Sequence, residues 1–148
     1  MLHHVSIRTA DIFRAIAFYE QLGFIVKERF TTGYTLGCWM EGMGGRIELL
    51  QVPQPQLPPD PFGDETYVGY YHLSFDVTHQ TDSLPVWLKA LRTRFDIAAQ
   101  AAESRLSPLR VLLEPTQQMI GDRVYEVAFI SDADAMPIEL LRQMTGSK

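Results

Sequence analysis

Two histidines and two glutamates stand at matching places in two pairs of similar peptides. His4 lies in HHVSI and His72 in YHLSF, while Glu48 lies in RIELLQ and Glu139 in PIELLR. Imidazole nitrogens and carboxylate oxygens together suit one divalent transition metal, with Ni, Zn, Co or Fe as candidates. A carboxylate between aliphatic residues is costly to bury unless it is paired or bound to metal. The four residues predict a metal site, although each one alone also fits an ordinary surface position.

Period-two alternation indicates which side chains share a face of the strands that carry these residues. Neighbouring residues on a strand point to opposite faces. The alternation places His4, Ser6 and Arg8 on one face of the first strand, and His72, Ser74 and Asp76 on the same face of the matching strand. The two glutamates lie on the same side as the histidines. It also predicts that His3 faces the other way and is incidental to the chemistry.

The four peptides belong to a larger internal repeat. The first half reads as a strand (MLHHVSIRT), a helix that Asp11 begins and Gly23 ends, and three further strands (FIVKERF, YTLGCWME and RIELLQV). The second half repeats this order with YYHLSFDV, a helix carrying an apolar stripe, LRVLLEP, RVYEVAFIS and MPIELLRQ, plus an insertion, IAAQAAESRLSP, whose Ala-rich middle favours a helix. Duplication of this kind implies two copies of one supersecondary unit packed together.

The predicted fold class is α+β, with two βαβββ modules in one domain, residues 1–148. The modules span approximately 1–52 and 70–148, and a Pro-rich linker, 53–69, joins them. Because the linker keeps several large apolar side chains, we expect an ordered connection.

Composition narrows the function classes. The net charge of -5 argues against nucleic-acid and anionic-membrane partners. No apolar run is long enough to span a bilayer, no signal-peptide core is evident, and a single cysteine, Cys38, cannot form an internal disulfide. We therefore expect a cytoplasmic protein. There is also no P-loop, dinucleotide fingerprint or zinc-binding Cys pair.

The sequence resembles the vicinal oxygen chelate superfamily, which includes glyoxalase I, methylmalonyl-CoA epimerase, extradiol dioxygenases and bleomycin-resistance proteins. The resemblance runs from HHVSIRTADIFRAIAFYEQLGF through YYHLSFDV to VAFISDADAMPIELL. It implies that two βαβββ modules form a metal-binding cup, in which His4, Glu48, His72 and Glu139 match the ligand positions. One departure is SDADAM, which stands where the family has a DPDG turn, so this hairpin must form without its glycine.

Glyoxalase I is the member that the chain resembles most, because it has Glu at the second ligand position. The resemblance implies a lyase or isomerase that shifts a proton through a metal-stabilised enediolate, with the methylglyoxal–glutathione hemithioacetal as a candidate substrate. It also implies that Glu139 is the catalytic base, with Glu48 as the symmetry-related competitor, and that Arg8 contacts the small-molecule substrate. As a strand-end residue, Arg8 also fits a purely solvated position. The family's cups are often completed across a subunit interface, so a homodimer is expected.

Two other function classes stay open at this point. The chain fits an Fe(II) extradiol-type dioxygenase, which oxygen uptake would distinguish, and a non-enzymatic protein that sequesters a ligand, which any turnover would exclude.

Overall fold

The computed structural model describes residues 1–144, and this part of the chain contains two βαβββ modules in the predicted order. The N-terminal module comprises β1 (Val5–Thr9), α1 (Ile12–Gln21), β2 (Ile25–Thr32), β3 (Thr35–Gly42) and β4 (Gly45–Gln51). The C-terminal module comprises β5 (Leu73–Asp76), α2 (Leu84–Gln100), β6 (Val111–Ile120), β7 (Arg123–Ser131) and β8 (Pro137–Gln143). The α+β fold of two modules is confirmed. The last four residues assigned to the second module, 145–148, lie outside the described part.

Each module forms one four-stranded sheet in which the first strand pairs with the last. The strand orders are β1-β4-β3-β2 and β5-β8-β7-β6, and the β1–β4 and β5–β8 pairs are parallel while the other pairs are antiparallel. This pairing brings each histidine peptide beside its glutamate peptide, although more than forty residues separate them in the chain.

The helices begin at the residue types that favour helix starts. The side chain of Asp11 accepts hydrogen bonds from the backbone N–H groups of Phe13 and Arg14, and Ser83 accepts one from Val86. The Ala-rich part of the predicted insertion is helical through Gln100, as a continuation of α2 and not as a separate element. In residues 1–144, neither helix has the length and apolar character needed to span a bilayer.

One apolar core joins the two modules. Phe18 of α1 and Phe95 of α2 lie 5.3 Å apart between ring centroids, and Phe24 lies 5.6 Å from Phe75 across the module boundary. Both helices and one face of each sheet contribute to this core. We call the opposite face of each sheet its outer face. The alternation along β4 is clear, since Ile47 and Leu49 are buried while Glu48 between them is only partly buried.

The β7–β8 turn forms without glycine, as predicted. Ala135 adopts the left-handed backbone conformation, with φ of 66°. The carboxylate of Asp132 stabilises the turn by accepting hydrogen bonds from the backbone N–H groups of Asp134 and Met136, at 2.8 and 2.9 Å. The side chain of Asp132 thus supplies hydrogen bonds that hold the turn around a strained residue.

The Pro-rich linker contacts the outer face of the C-terminal sheet. Pro61 is buried, and the ring of Phe62 lies 5.3 Å from that of Phe129 on β7. Leu57 and Val68 stay almost fully exposed, at 97% and 93%. Some apolar side chains of the linker therefore pack against the sheet, while others stay exposed to solvent.

Candidate metal centre

The N-terminal module brings His4 and Glu48 together on the outer face. The β1–β4 register sets Ser6 directly beside Glu48, and its Oγ donates a hydrogen bond to Glu48 Oε1 over 2.8 Å. His4 Nε2 lies 3.5 Å from the same oxygen. The imidazole of His4 and the carboxylate of Glu48 therefore lie side by side on the outer face.

The C-terminal module repeats this arrangement. Ser74 is paired with Glu139, and its Oγ donates to Glu139 Oε1 over 2.6 Å, while His72 Nε2 lies 3.7 Å from that oxygen. The Nδ1 atom of His72 is buried and has no hydrogen-bond partner within the described residues. The other ring nitrogen, Nε2, faces the carboxylate, and imidazole with carboxylate is a donor set that suits a divalent metal ion.

The two His–Glu pairs do not meet within one chain. Within residues 1–144, no three side chains of His, Cys, Asp or Glu lie close enough together to hold a metal ion. Both helices pack into the shared core, and each His–Glu pair lies on the outer face of its own sheet. The structure therefore brings the four predicted residues together as two pairs, His4 with Glu48 and His72 with Glu139.

Glu48 has a second hydrogen-bond donor that sequence reasoning did not identify. Trp39 stands opposite Glu48 in the β3–β4 register, and its indole Nε1 donates to Glu48 Oε2 over 2.8 Å. Partial burial raises the pKa of Glu48. Hydrogen bonds from Trp39 and Ser6, together with the nearby His4, lower the pKa by more, so it lies below its usual value. The carboxylate is thereby held in its ionised form.

The prediction that His3 faces away from His4 is wrong. β1 begins at Val5, so neither histidine lies within the strand and the alternation rule does not reach them. Their rings are 5.0 Å apart, with the two Nδ1 atoms at 2.7 Å. The ring of His3 also lies 5.1 Å from that of Trp39, and its Nε2 contacts Arg46. β5 likewise begins after its histidine, at Leu73.

Arg8, the predicted substrate contact, lies on the same outer face as Ser6. It is exposed and pairs with Leu50 in the β1–β4 register, and its side chain makes no hydrogen bond or ion pair with the other residues of the described part, 1–144. Its guanidinium is therefore available to an external group.

No role was assigned to Ser6 and Ser74 from the sequence, although their spacing from the histidines identifies them. Each follows its histidine by two residues, as His4-Val-Ser6 and His72-Leu-Ser74. In the parallel strand pairs this spacing puts the hydroxyl beside the glutamate.

A protein-family model matches residues 1–140, and its description is the Glyoxalase/Bleomycin resistance protein/Dioxygenase superfamily. The chain belongs to this superfamily. The resemblance drawn from the histidine and glutamate peptides is confirmed. The superfamily unites enzymes with proteins that bind a ligand without transforming it, so membership alone does not define an activity.

Solved structures of superfamily members have the same fold. A glyoxalase family protein from Bacillus cereus is 17% identical with a TM-score of 0.67, over 97% of this chain and 94% of that one. A glyoxylase/bleomycin resistance protein/dioxygenase domain from Frankia sp. is 21% identical with a TM-score of 0.64, over 99% and 94%.

A V278E mutant of glyoxalase I from Zea mays is 17% identical with a TM-score of 0.62, over 96% of this chain but 44% of that one. Identities this low establish the fold alone. The comparison with curated proteins finds no match.

Proposed function

We propose that this superfamily member is a metal-dependent lyase of the glyoxalase I type, which shifts a proton between neighbouring carbons of an α-hydroxycarbonyl substrate. The observation that supports it is the repeated His–Glu pair. The Nε2–Oε1 distance is 3.5 Å between His4 and Glu48 and 3.7 Å between His72 and Glu139. The methylglyoxal–glutathione hemithioacetal is the candidate substrate.

The residues present fit a divalent cation. His4, Glu48, His72 and Glu139 would supply two imidazole nitrogens and two carboxylate oxygens, which suits Zn, Ni, Co or Fe. The repeated pairing supports this assignment, because in each module an imidazole Nε2 lies within 3.7 Å of a carboxylate oxygen. When bound, the cation supplies positive charge that neutralises the charge developing on substrate oxygens.

We propose further that the complete four-ligand site forms between two copies of the chain. Each outer face presents half of the ligand set, and within residues 1–144 no three His, Cys, Asp or Glu side chains come close enough to hold a metal ion. If the N-terminal outer face of one copy packs against the C-terminal outer face of a second copy, one His–Glu pair from each meets the other. A two-fold symmetric dimer would repeat this contact and contain two such sites.

Within this site Glu139 is the proposed base. Its carboxylate would take the proton from the hydroxyl-bearing carbon and return it to the former carbonyl carbon, while the hydroxyl proton passes to the former carbonyl oxygen, so the reaction has no net proton change. Arg8, which is exposed on the outer face near Ser6, would bind an anionic or carbonyl group of the substrate.

The experiment is metal analysis of the purified protein, followed by assay with methylglyoxal and glutathione under Ni, Co, Zn and Fe(II). We expect bound metal and turnover in wild type, and loss of both in His4→Ala and His72→Ala. His79→Ala changes an exposed histidine and is the matched control. Oxygen consumption with Fe(II) would instead favour a dioxygenase. Ligand binding without any turnover would favour a sequestering protein.

A further inference from the structure

The two His–Glu pairs differ in the aromatic residue that stands opposite the glutamate. In the N-terminal sheet, Trp39 stands opposite Glu48 across the β3–β4 pair; in the C-terminal sheet, Phe129 stands opposite Glu139 across the β7–β8 pair. Tryptophan has an N–H donor and phenylalanine has none. The aromatic position is thus duplicated, whereas the hydrogen bond is present in one module only.

This difference leaves the two carboxylates held to different degrees. Both oxygens of Glu48 accept hydrogen bonds, Oε1 from Ser6 and Oε2 from Trp39, each over 2.8 Å. Among residues 1–144, Glu139 accepts one, from Ser74 through Oε1. A carboxylate bound at both oxygens keeps one orientation, while one bound at a single oxygen can rotate about that contact.

The indole of Trp39 is itself held in place, which a positioning role requires. Its ring lies 5.7 Å from that of Phe30 on β2 and 5.1 Å from that of His3, and the guanidinium of Arg46 lies over it at 5.6 Å. Packing on several sides limits the rotation of the ring and therefore the direction of its N–H.

Phe129 is packed equally well but offers Glu139 no donor. Its ring lies 5.3 Å from Phe62, 6.0 Å from Tyr71 and 5.0 Å from His72. The surroundings of Glu139 on this side are therefore aromatic carbon, which can confine the carboxylate but not anchor it through Oε2.

We infer that Trp39 is a positioning residue that keeps Glu48 as the fixed carboxylate ligand and leaves Glu139 as the carboxylate free to move between metal and substrate. The inference rests on the proposed function. It separates the roles of two glutamates that are equivalent in the repeat. A donor beside a metal ligand orients it, and removal of such a donor commonly lowers metal affinity about 10-fold or more.

The test measures metal affinity without substrate in Trp39→Phe, with Trp87→Phe as the matched control. The chain has two tryptophans, and Trp87 lies on α2. We expect Trp39→Phe to remain folded and to weaken Zn²⁺ or Co²⁺ binding about 10-fold, and Trp87→Phe to bind as wild type. Trp39→Phe should have no further effect in a Glu48→Ala background, but should keep its effect in Glu139→Ala.

The outcomes distinguish this inference from the proposed function. Wild type that binds no metal would remove both. Wild type that binds metal while Trp39→Phe binds as tightly would overturn the role of Trp39 and leave the proposed function standing. An undiminished effect of Trp39→Phe in Glu48→Ala would also overturn it, because no carboxylate would remain to be positioned.

A second measurement avoids any change at Trp39, in case Trp39→Phe does not fold. Trp87→Phe protein contains one indole N–H, whose proton resonance reports the hydrogen bond to Glu48 directly. We expect this proton to exchange slowly with solvent both before and after Zn²⁺ is added. Fast exchange once metal is bound would overturn the inference, since Glu48 would then have left the indole.

Discussion

Thr9 of the N-terminal module donates a hydrogen bond from Oγ1 to Oδ2 of Asp134 in the C-terminal module, over 2.6 Å. The other carboxylate oxygen of Asp134 accepts from the backbone N–H of Ala10 at 3.0 Å and lies 3.5 Å from the guanidinium of Arg14. One side chain of the β7–β8 turn thus joins the modules where α1 begins.

Asp134→Ala should lower the free energy of unfolding by about 1–3 kcal/mol, because the Ala10 N–H loses its acceptor and the hydroxyl of buried Thr9 keeps only its longer contact with the Asp11 carbonyl oxygen. Urea unfolding measures the effect. Asp122→Ala is the control, since the Asp122 side chain is 98% exposed and its removal should change stability by less than about 0.5 kcal/mol. Equal effects of the two variants would contradict the bridging role of Asp134.

Asp132→Asn should stabilise the protein at pH 7.5 and have little effect at pH 4. Burial raises the pKa of Asp132 to about 6, with the Asp134 carboxylate adding to the rise and backbone hydrogen bonds from Met136 and Asp134 opposing it. Because the folded state binds this proton more tightly than the unfolded state, the contribution is complete below about pH 4 and is lost as pH rises through 6. Asn keeps the acceptor that the turn needs.

The shift corresponds to an upper limit of about 3 kcal/mol between the two pH values. Denaturant unfolding of wild type and Asp132→Asn at several pH values from 4 to 7.5 gives the difference directly. A constant difference over that range would mean that Asp132 does not bind its proton more tightly when the protein folds.

A mixture of two inactive variants should recover activity if the site forms between two copies. His4→Ala inactivates the N-terminal half of the site and His72→Ala the C-terminal half. In a mixed dimer one site receives both damaged halves and the other receives both intact halves, so an equal mixture should reach about a quarter of wild-type activity and metal content.

The variants are mixed after unfolding and refolding together, and each variant refolded alone is the control. A mixture as inactive as the separate variants, in a protein that wild type shows to be active, would mean that the four ligands come from one copy.

Glu139→Gln should retain metal but lose turnover by about 10²-fold or more, because an amide oxygen can coordinate a metal but cannot accept the substrate proton. Glu48→Gln should weaken metal binding, since an amide has one acceptor oxygen where the two oxygens of Glu48 accept hydrogen bonds from Ser6 and Trp39. Glu114→Gln, which alters an exposed surface ion pair with Arg92, is the control. Full activity of Glu139→Gln, together with an inactive Glu48→Gln, would mean that Glu48 is the base and Glu139 the fixed ligand.

Much of the fold could be predicted from the sequence because the relevant signals are local and are present twice. Apolar spacing along Ile12, Ala15, Ile16 and Tyr19 indicated α1, and the structure buries all four. Aliphatic neighbours on both sides of Glu48 and Glu139 indicated strands with one polar face. Boundaries were less predictable: the strand pattern included His3 and His4, but pairing begins at Val5, so the expected separation of the two rings was lost.

The candidate site divides in the same way. The sequence by itself determined the two His–Glu pairs, because duplication and period-two alternation identify residue types and faces without knowledge of packing. Only the tertiary structure decided that the two pairs stay apart within residues 1–144, since this depends on how the modules pack against each other through their helices and not on any local pattern. It also decided that Trp39, and not a residue adjacent in sequence, anchors Glu48, because antiparallel register brings together side chains from different strands.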